Sequence, residues 1–210
     1  MSRDTQALNQ RRFEFKPTES VWIFGYGSLI HKVDFDYLES RPAAITGWAR
    51  RFWQGSHDHR GTPSHPGRVL TLVKETGHRC IGMAYKINAS VFEFLDHREK
   101  NGYLREAINI QLLTQTDKTR SAAVQFDSEL NSGSLVEVPG IVYHASPDNE
   151  AFLGPATDQE IARQISQSHG PSGANSEYLL RLADSLRELG VSGDHVFDIE
   201  SAYWSLSTGV

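Results

Sequence analysis

VWIFGYGSLI, Val21–Ile30, sets an apolar run against a Gly-Tyr-Gly-Ser break and then turns apolar again. Val21, Ile23 and Phe24 suit a strand. Gly25 and Gly27 let a backbone turn sharply or let another group approach it closely. The spacing argues against the familiar phosphate loops. A dinucleotide fingerprint needs a third glycine where Ile30 stands, and no Gly-Lys-Ser/Thr follows to make a P-loop. The break reads as a strand running into a tight turn, with room for a ligand held by some other grammar.

Outward from this stretch, residues 1–20 read as a loose polar arm. Downstream, GWARRFWQG, Gly47–Gly55, mixes aromatics with two arginines. SHDHRGTPSHPGR, Ser56–Arg68, reads as a long surface loop, a kind often functional in compact domains. VLTLV, Val69–Val73, and CIGMAYKI, Cys80–Ile87, read as two strands, with Gly77-His78 as a turn before the second. Ser90 and Glu93 have capping-box spacing, which predicts a helix running to Asn101-Gly102. YLREAINIQLL, Tyr103–Leu113, alternates as a strand, and SAAVQFD and GIVYHA read as two more. Thr157 and Glu160 form a second capping box, with Gly170-Pro171 ending its helix. Ser176 opens a third helix, in which Leu179, Leu182, Ala183, Leu186 and Leu189 share one face and Gly190 is the stop. Many strands with one interposed helix, followed by helices, predict an α+β domain: a small closed or half-closed sheet with helices against it.

The 210-residue chain is 39% hydrophobic and 22% charged, the profile of one globular domain able to bury its own core. Its formal net charge of −5, with Lys and Arg scattered, offers no basic face for nucleic acid. No apolar run is long enough to span a membrane, and the polar start lacks the apolar core of a secretory signal. A single cysteine, Cys80, rules out an internal disulfide and fits a reducing compartment, most simply the cytoplasm. Its place at the head of CIGMAYKI reads as a packed thiol rather than a nucleophile.

Several groups are candidates for chemistry. His57, His59 and His65 share the long loop, but three histidines without a cysteine or H-E-x-x-H make a weak metal set. Ser28 is not in G-x-S-x-G, so no hydrolase elbow is marked. Glu99, between Arg98 and Lys100 before a tight turn, reads locally as a surface ion-pairing residue.

Beyond local context, the chain resembles the ChaC family of glutathione-specific γ-glutamylcyclotransferases. The matching stretches are FGYGSLI, RRFWQGSHDHRGTPSHPGRVLTL, GMAY, REKNGY, PDNEAFLGPA, IARQI, GPSGANSEYLLRLADSLREL and HVFDIE, covering nearly everything from Val21 to Glu200. The resemblance implies a single γ-glutamylcyclotransferase-like domain over residues 21–205: a small mixed β-barrel with surrounding helices, beyond the N-terminal arm. It implies Glu99 as the catalytic acid/base. Tyr26, Gly27, Ser28 and Leu29 would bind the γ-glutamyl group, with Tyr103 and Tyr143 as further pocket residues. The chain departs from the family pattern at Ile81, where a tryptophan is expected, at His31, where an aromatic is expected, and at Glu150, where a proline is expected.

The implied reaction takes its nucleophile from the substrate. The free α-amine of glutathione attacks the γ-carbonyl and closes a lactam, giving 5-oxoproline and Cys-Gly. Such a reaction needs no cofactor and no metal. Glutathione is the implied small-molecule partner, and an arginine of the long loop, Arg68 first, is expected to hold its glycine carboxylate. Other readings are a cyclotransferase for other γ-glutamyl amines or amino acids, a non-catalytic γ-glutamyl-binding module, and a metal-dependent hydrolase resting on the loop histidines. Glu106 is the next candidate acid should Glu99 not serve.

Overall fold

The computed structural model describes residues 5–114, 122–132 and 134–208. Five strands form a closed barrel: β1 (Ser20–Gly25), β2 (Glu39–Ser56), β3 (Gly67–Asn88), β4 (Tyr103–Leu112) and β5 (Val136–Ala145), in the order β1-β3-β2-β4-β5. Neighbours run antiparallel except at the closing seam, where β5 pairs with β1 in parallel, Trp22–Phe24 against Gly140–Val142. The α+β barrel expected from the sequence is the architecture observed. No helix among the described residues is long and apolar enough to cross a membrane.

The barrel owes its shape to two long strands. VLTLV and CIGMAYKI, expected as separate strands, are one 22-residue strand, β3, paired along most of its length with β2. The turn expected at Gly77 is a bulge inside that strand. Gly77 (φ +81°) and Gly47 (φ +82°) face each other across the register shift, and their left-handed backbone lets both strands bend without stopping. At Gly82 the need is closeness: a Cβ there would fall 2.3 Å from the Gly25 carbonyl oxygen.

Among the described residues six α-helices surround the sheet: α1 (Gln6–Arg12), α2 (Val91–Arg98), α3 (Ala122–Ser132), α4 (Asp158–Gln167), α5 (Asn175–Glu188) and α6 (His195–Thr208). Helices α4, α5 and α6 bury Ile161, Ile165, Leu179, Leu182, Leu186, Val196 and Ile199 against the barrel residues Phe24, Phe52 and Leu72. Helix α2 packs Phe92 and Leu95 on Ile23, Ile87 and Ile141. The Thr157 capping box is present in full, with Thr157 and Glu160 exchanging side-chain and backbone bonds.

Four local expectations fail for identifiable reasons. Ser90 makes no cap hydrogen bond: it is already helical in backbone, and the chain there is held instead by Ala89 N–H donating to Glu19 O and Ser90 N–H to Pro17 O. SAAVQFD, whose Ser121 lies outside the described residues, is not a strand but the start of α3. Ala122 and Phe126, four residues apart, fall on one helical face and bury together against Ala44, Ile81 and Leu113. Helix α4 stops at Gln167, before Gly170-Pro171, because residues 169–170 pair as a short ribbon with 173–174. The N-terminal arm is not loose over its described part. Residues 6–12 form α1, and Asn9 is fully buried against the barrel.

Candidate functional site

The chain leaves β1 at Gly25 and turns through a short 3-10 helix, Ser28–Ile30. Glycines stand here for a steric reason. A Cβ on Gly25 would lie 2.6 Å from Leu29 Cβ, which folds back over it, and one on Gly27 would lie 3.2 Å from the Tyr178 hydroxyl. The turn thus packs closely on the Tyr178 side chain of α5. Its first amides, those of Gly27, Ser28 and Leu29, donate to no acceptor among the described residues.

This turn forms one wall of a small inner cleft of about 60 Å³, where Tyr26, Gly27, Ser28, Leu29, Glu99, Tyr103 and Tyr143 meet, together with Leu70 and Tyr178. An outer cleft of about 280 Å³ continues from it, sharing Ser28, Glu99, Tyr103 and Tyr178 and adding Lys32, Asp34, Asp58, Arg60 and Arg98. The residues named from sequence, scattered over 117 positions from Tyr26 to Tyr143, therefore line one hollow.

Glu99 closes α2 at its C-terminal end, with φ −95° and ψ 15°, and its backbone N–H donates to Leu95 O. Its side chain is 20% exposed, and Arg98 Nε stands 3.4 Å from the carboxylate. Burial pushes the carboxyl pKa up, the neighbouring Arg98 pulls it down, and Asp34 and Asp58 push it up again, leaving it raised. A carboxylate with a raised pKa facing a cleft is suited to take and return a proton near neutral pH.

The tyrosines make a neutral lining. Tyr26 donates its hydroxyl to Tyr143 O at 2.9 Å, and Tyr103 donates to Leu70 O at 2.6 Å. Burial, with Glu99 and neighbouring tyrosines adding to it, drives the Tyr26 and Tyr103 hydroxyls well above the ordinary phenol pKa, and burial with Glu99 takes Tyr178 up to about 12. Tyr143 lines the cleft while its hydroxyl is committed elsewhere, donating to Asp96 at 2.6 Å and accepting from Arg105 Nε at 3.1 Å.

The other sequence candidates lie outside the inner cleft. Arg68, expected to hold a carboxylate, donates through Nη1 to Phe52 O (2.9 Å) and Gly154 O (3.0 Å) and through Nε to Gln164 (2.7 Å), so its guanidinium is locked into the scaffold. Arg60 of the same loop does line the outer cleft, where it bonds Glu177 at 3.0 Å. The three loop histidines do not converge: His57 faces a separate hollow of about 640 Å³, His59 lines the outer cleft beside Ser172, and His65 bonds Ser64. Among the described residues no group of three or more His, Cys, Asp or Glu is arranged to hold a metal ion. Cys80 is buried and accepts from Arg50 at 3.1 Å, and burial raises its thiol pKa. Glu106 is on the barrel wall, bonded to Lys74 and His144. Burial raises its carboxyl, those two partners lower it further, and the net is a lowered pKa.

Tyr178 and Arg98 are among the cleft residues that escaped the sequence reading. Tyr178 sits one turn before Leu182 and reads as part of the apolar face of α5, which it also is. Arg98 reads as a flanking charge. Its Nη2 donates to Ser28 Oγ at 2.9 Å and Nη1 to Asp34, so it ties the glycine turn to the Glu99 corner.

Known proteins share this arrangement's sequence and shape. The model of a family described as ChaC-like protein matches residues 21–204. A glutathione-specific gamma-glutamylcyclotransferase 1 from Danio rerio is 41% identical over 191 residues, covering 87% of this chain and 88% of its own. A glutathione-specific gamma-glutamylcyclotransferase from Saccharomyces cerevisiae is 38% identical, covering 81% and 87%. The crystal structure of a selenomethionine-labelled, glutathione-specific γ-glutamyl cyclotransferase from yeast superposes with a TM-score of 0.75 at 34% identity, covering 89% of this chain and 96% of that one.

Proposed function

From the premise that the chain belongs to the family of ChaC-like proteins, we propose that it is a γ-glutamylcyclotransferase that cleaves glutathione to 5-oxoproline and Cys-Gly. The observation that carries this reading is the Glu99 carboxyl, raised by burial, facing the cleft that the glycine turn walls.

The chemistry follows from what the substrate brings. Its α-amine is largely ammonium near neutral pH, since a peptide α-amine has a pKa of about 8. It gives one proton to solvent, and Glu99 as carboxylate takes a second from the nitrogen as it attacks. The freed nitrogen bonds to the γ-carbon, closing a five-membered ring, and a tetrahedral oxyanion forms. As the γ-carbon to cysteine-nitrogen bond breaks, the departing nitrogen gains a proton from Glu99, now a carboxylic acid. The oxyanion returns to a carbonyl, the glutamate is restored and the released Cys-Gly amine takes one proton back from solvent, so the proton count closes without metal.

Residues Tyr26–Leu29 serve as the grip on the γ-glutamyl arm. The free amides of the turn suit an α-carboxylate or the oxyanion. Holding the amine against the γ-carbonyl in a small cleft is worth up to about 7–11 kcal/mol in the best intramolecular cases. Tyr103 and Tyr143 shape the wall, and the outer cleft with Lys32, Arg60 and Arg98 takes the Cys-Gly half. A reducing compartment, the cytoplasm, suits a thiol substrate and a protein with one buried cysteine.

The test is direct. Purified protein is incubated with reduced glutathione in EDTA, and 5-oxoproline and Cys-Gly are followed by mass spectrometry beside the Glu99→Gln variant. Equal amounts of both products, lost in the variant, are the expected result. No product from glutathione, with turnover of γ-glutamyl-alanine, would assign a broader cyclotransferase. No product from either would leave a binding module.

A further inference from the structure

Glu99 is followed by a corner, Lys100–Gly102, that carries the chain from α2 into β4, with Gly102 at φ +94°. The corner's own backbone supplies one long bond across it, Tyr103 N–H donating to Glu99 O at 3.3 Å. The last carbonyls of a helix lack intrahelical donors. The edge of β4 beyond the corner is also open: β4 pairs with β5 along its whole length on one side, but with β2 only at Gln111 and Leu112 on the other. At Tyr103–Arg105 that second edge has no strand beside it.

The segment that fills the gap lies outside the residues matched by the family model, which begin at 21. Thr5 Oγ1 donates to Lys100 O at 2.8 Å, and its hydroxyl also lies 3.4 Å from Glu99 O. One turn later the side-chain amide of Asn9 behaves as a strand would. Its Nδ2 donates to Tyr103 O at 3.1 Å and its Oδ1 accepts from Arg105 N–H at 2.8 Å. Arg12 Nη1 continues the line by donating to Arg105 O at 3.2 Å. Residues 103 and 105 point their polar groups to the same side of the strand, so one amide side chain satisfies both. Asn9 is 0% exposed and Thr5 4% exposed, so these bonds are shielded from water.

We propose that Thr5 and Asn9 are positioning residues for the Glu99 corner: the N-terminal segment is a strap that takes the place of a missing strand and fixes where Glu99 and Tyr103 stand in the cleft. This rests on the reading of Glu99 as the acid/base given above. A carboxylate that must reach two nitrogens in turn tolerates little displacement, and misplacement by about 1 Å can cost about a hundredfold in rate. The strap touches the backbone of the corner from behind and does not line the inner cleft, so it acts on turnover rather than on substrate affinity.

The experiment uses the full chain with wild type, Thr5→Val, Thr5→Ser, Asn9→Ala and, as an exposed control on the same helix, Arg11→Ala. Steady-state kinetics with glutathione and amide hydrogen exchange are measured on each, well below its melting temperature. Expected are a fall in kcat of about ten- to a hundredfold in Thr5→Val and Asn9→Ala with KM within about threefold. Thr5→Ser keeps the hydroxyl and recovers most of the rate, Arg11→Ala behaves as wild type, and exchange in residues 99–105 rises in the two slow variants only. Should Asn9→Ala fail to fold, the Val and Ser pair at Thr5 decides alone. The proposal is overturned by kcat within twofold of wild type in the folded variants, by Thr5→Ser as slow as Thr5→Val, or by losses accompanied by unchanged exchange at 99–105. A wild-type protein without product overturns the cyclotransferase reading instead.

Discussion

Arg98 Nε lies 3.4 Å from the carboxylate of Glu99, the next residue in the chain. The pair is a setting device: the cation offsets part of the upward push that burial and the nearby Asp34 exert on the Glu99 carboxyl. Removing the cation as Arg98→Met leaves Asp34 without its counter-ion and the Glu99 carboxyl higher still. The acid limb of the kcat/KM profile, below which the base is protonated, is expected to move to higher pH. A limb at the wild-type position would show that Arg98 does not act on the titrating group.

Glu99→Gln is expected to bind glutathione and turn it over at least a hundredfold more slowly, since an amide is nearly the same shape and cannot take up and return a proton. It also has a stability signature. The folded-state carboxyl pKa is raised above the unfolded value of about 4.3, so the native state holds more protons between the two values. The stabilising effect of the protonated acid is present below the unfolded pKa and is lost as pH rises through the folded one. The melting temperature of Glu99→Gln relative to wild type should therefore climb from pH 4 towards neutrality. A constant difference across that range would place the titration elsewhere.

Arg68→Ala tests the scaffold. Its guanidinium serves the carbonyls of Phe52 and Gly154 and the Gln164 side chain, and each buried acceptor left without a donor costs about 1–3 kcal/mol. The variant is expected to melt much lower while KM for glutathione stays within about threefold of wild type. A large rise in KM at a temperature where the variant is folded would return Arg68 to the binding site.

Asp96 is fully buried and joins Arg105 and Tyr143 in one network, with Arg105 Nε at 2.9 Å and the Tyr143 hydroxyl at 2.6 Å. Asp96→Asn leaves the Arg105 cation without its counter-charge, and breaking a buried pair in this way costs about 3–5 kcal/mol. Tyr143→Phe removes the two hydrogen bonds of the hydroxyl but leaves the Asp96–Arg105 ion pair in place, at about 1–3 kcal/mol. Urea denaturation of both variants checks the order; Tyr143→Phe losing more than Asp96→Asn would overturn it.

How far the sequence carried depends on the length of the interactions involved. Alternation placed β4, and the leucine face placed α5, because each pattern is written within a dozen residues. The resemblance placed the barrel and the residues of the cleft. What escaped was tertiary. The strand across Gly77 required knowing that Gly47 lies opposite it. The helical state of residues 122–132 follows from Phe126 finding Ile81 and Leu113. Arg68 looked like an anion ligand because an arginine after a glycine-rich loop has that form, and only the carbonyls of residues 52 and 154 show that its donors are taken. Asn9, a single polar residue in an unremarkable helix, carries no sign in sequence of the strand edge it covers.

The parallel seam between β1 and β5 has a consequence for how the protein comes into being. The Tyr26 hydroxyl and the Tyr143 carbonyl it bonds stand on the two sides of that seam, 117 residues apart. Closing so long a loop carries an entropic penalty that must be met before the contacts it allows are formed, so it belongs late in folding. The β2–β3 hairpin can assemble from neighbouring sequence during synthesis. The cleft cannot, because its two walls arrive at opposite ends of translation of the barrel. A ribosome-bound chain that has not yet released residue 145 would hold Glu99 and the glycine turn on an unclosed sheet, unable to consume the thiol pool around it.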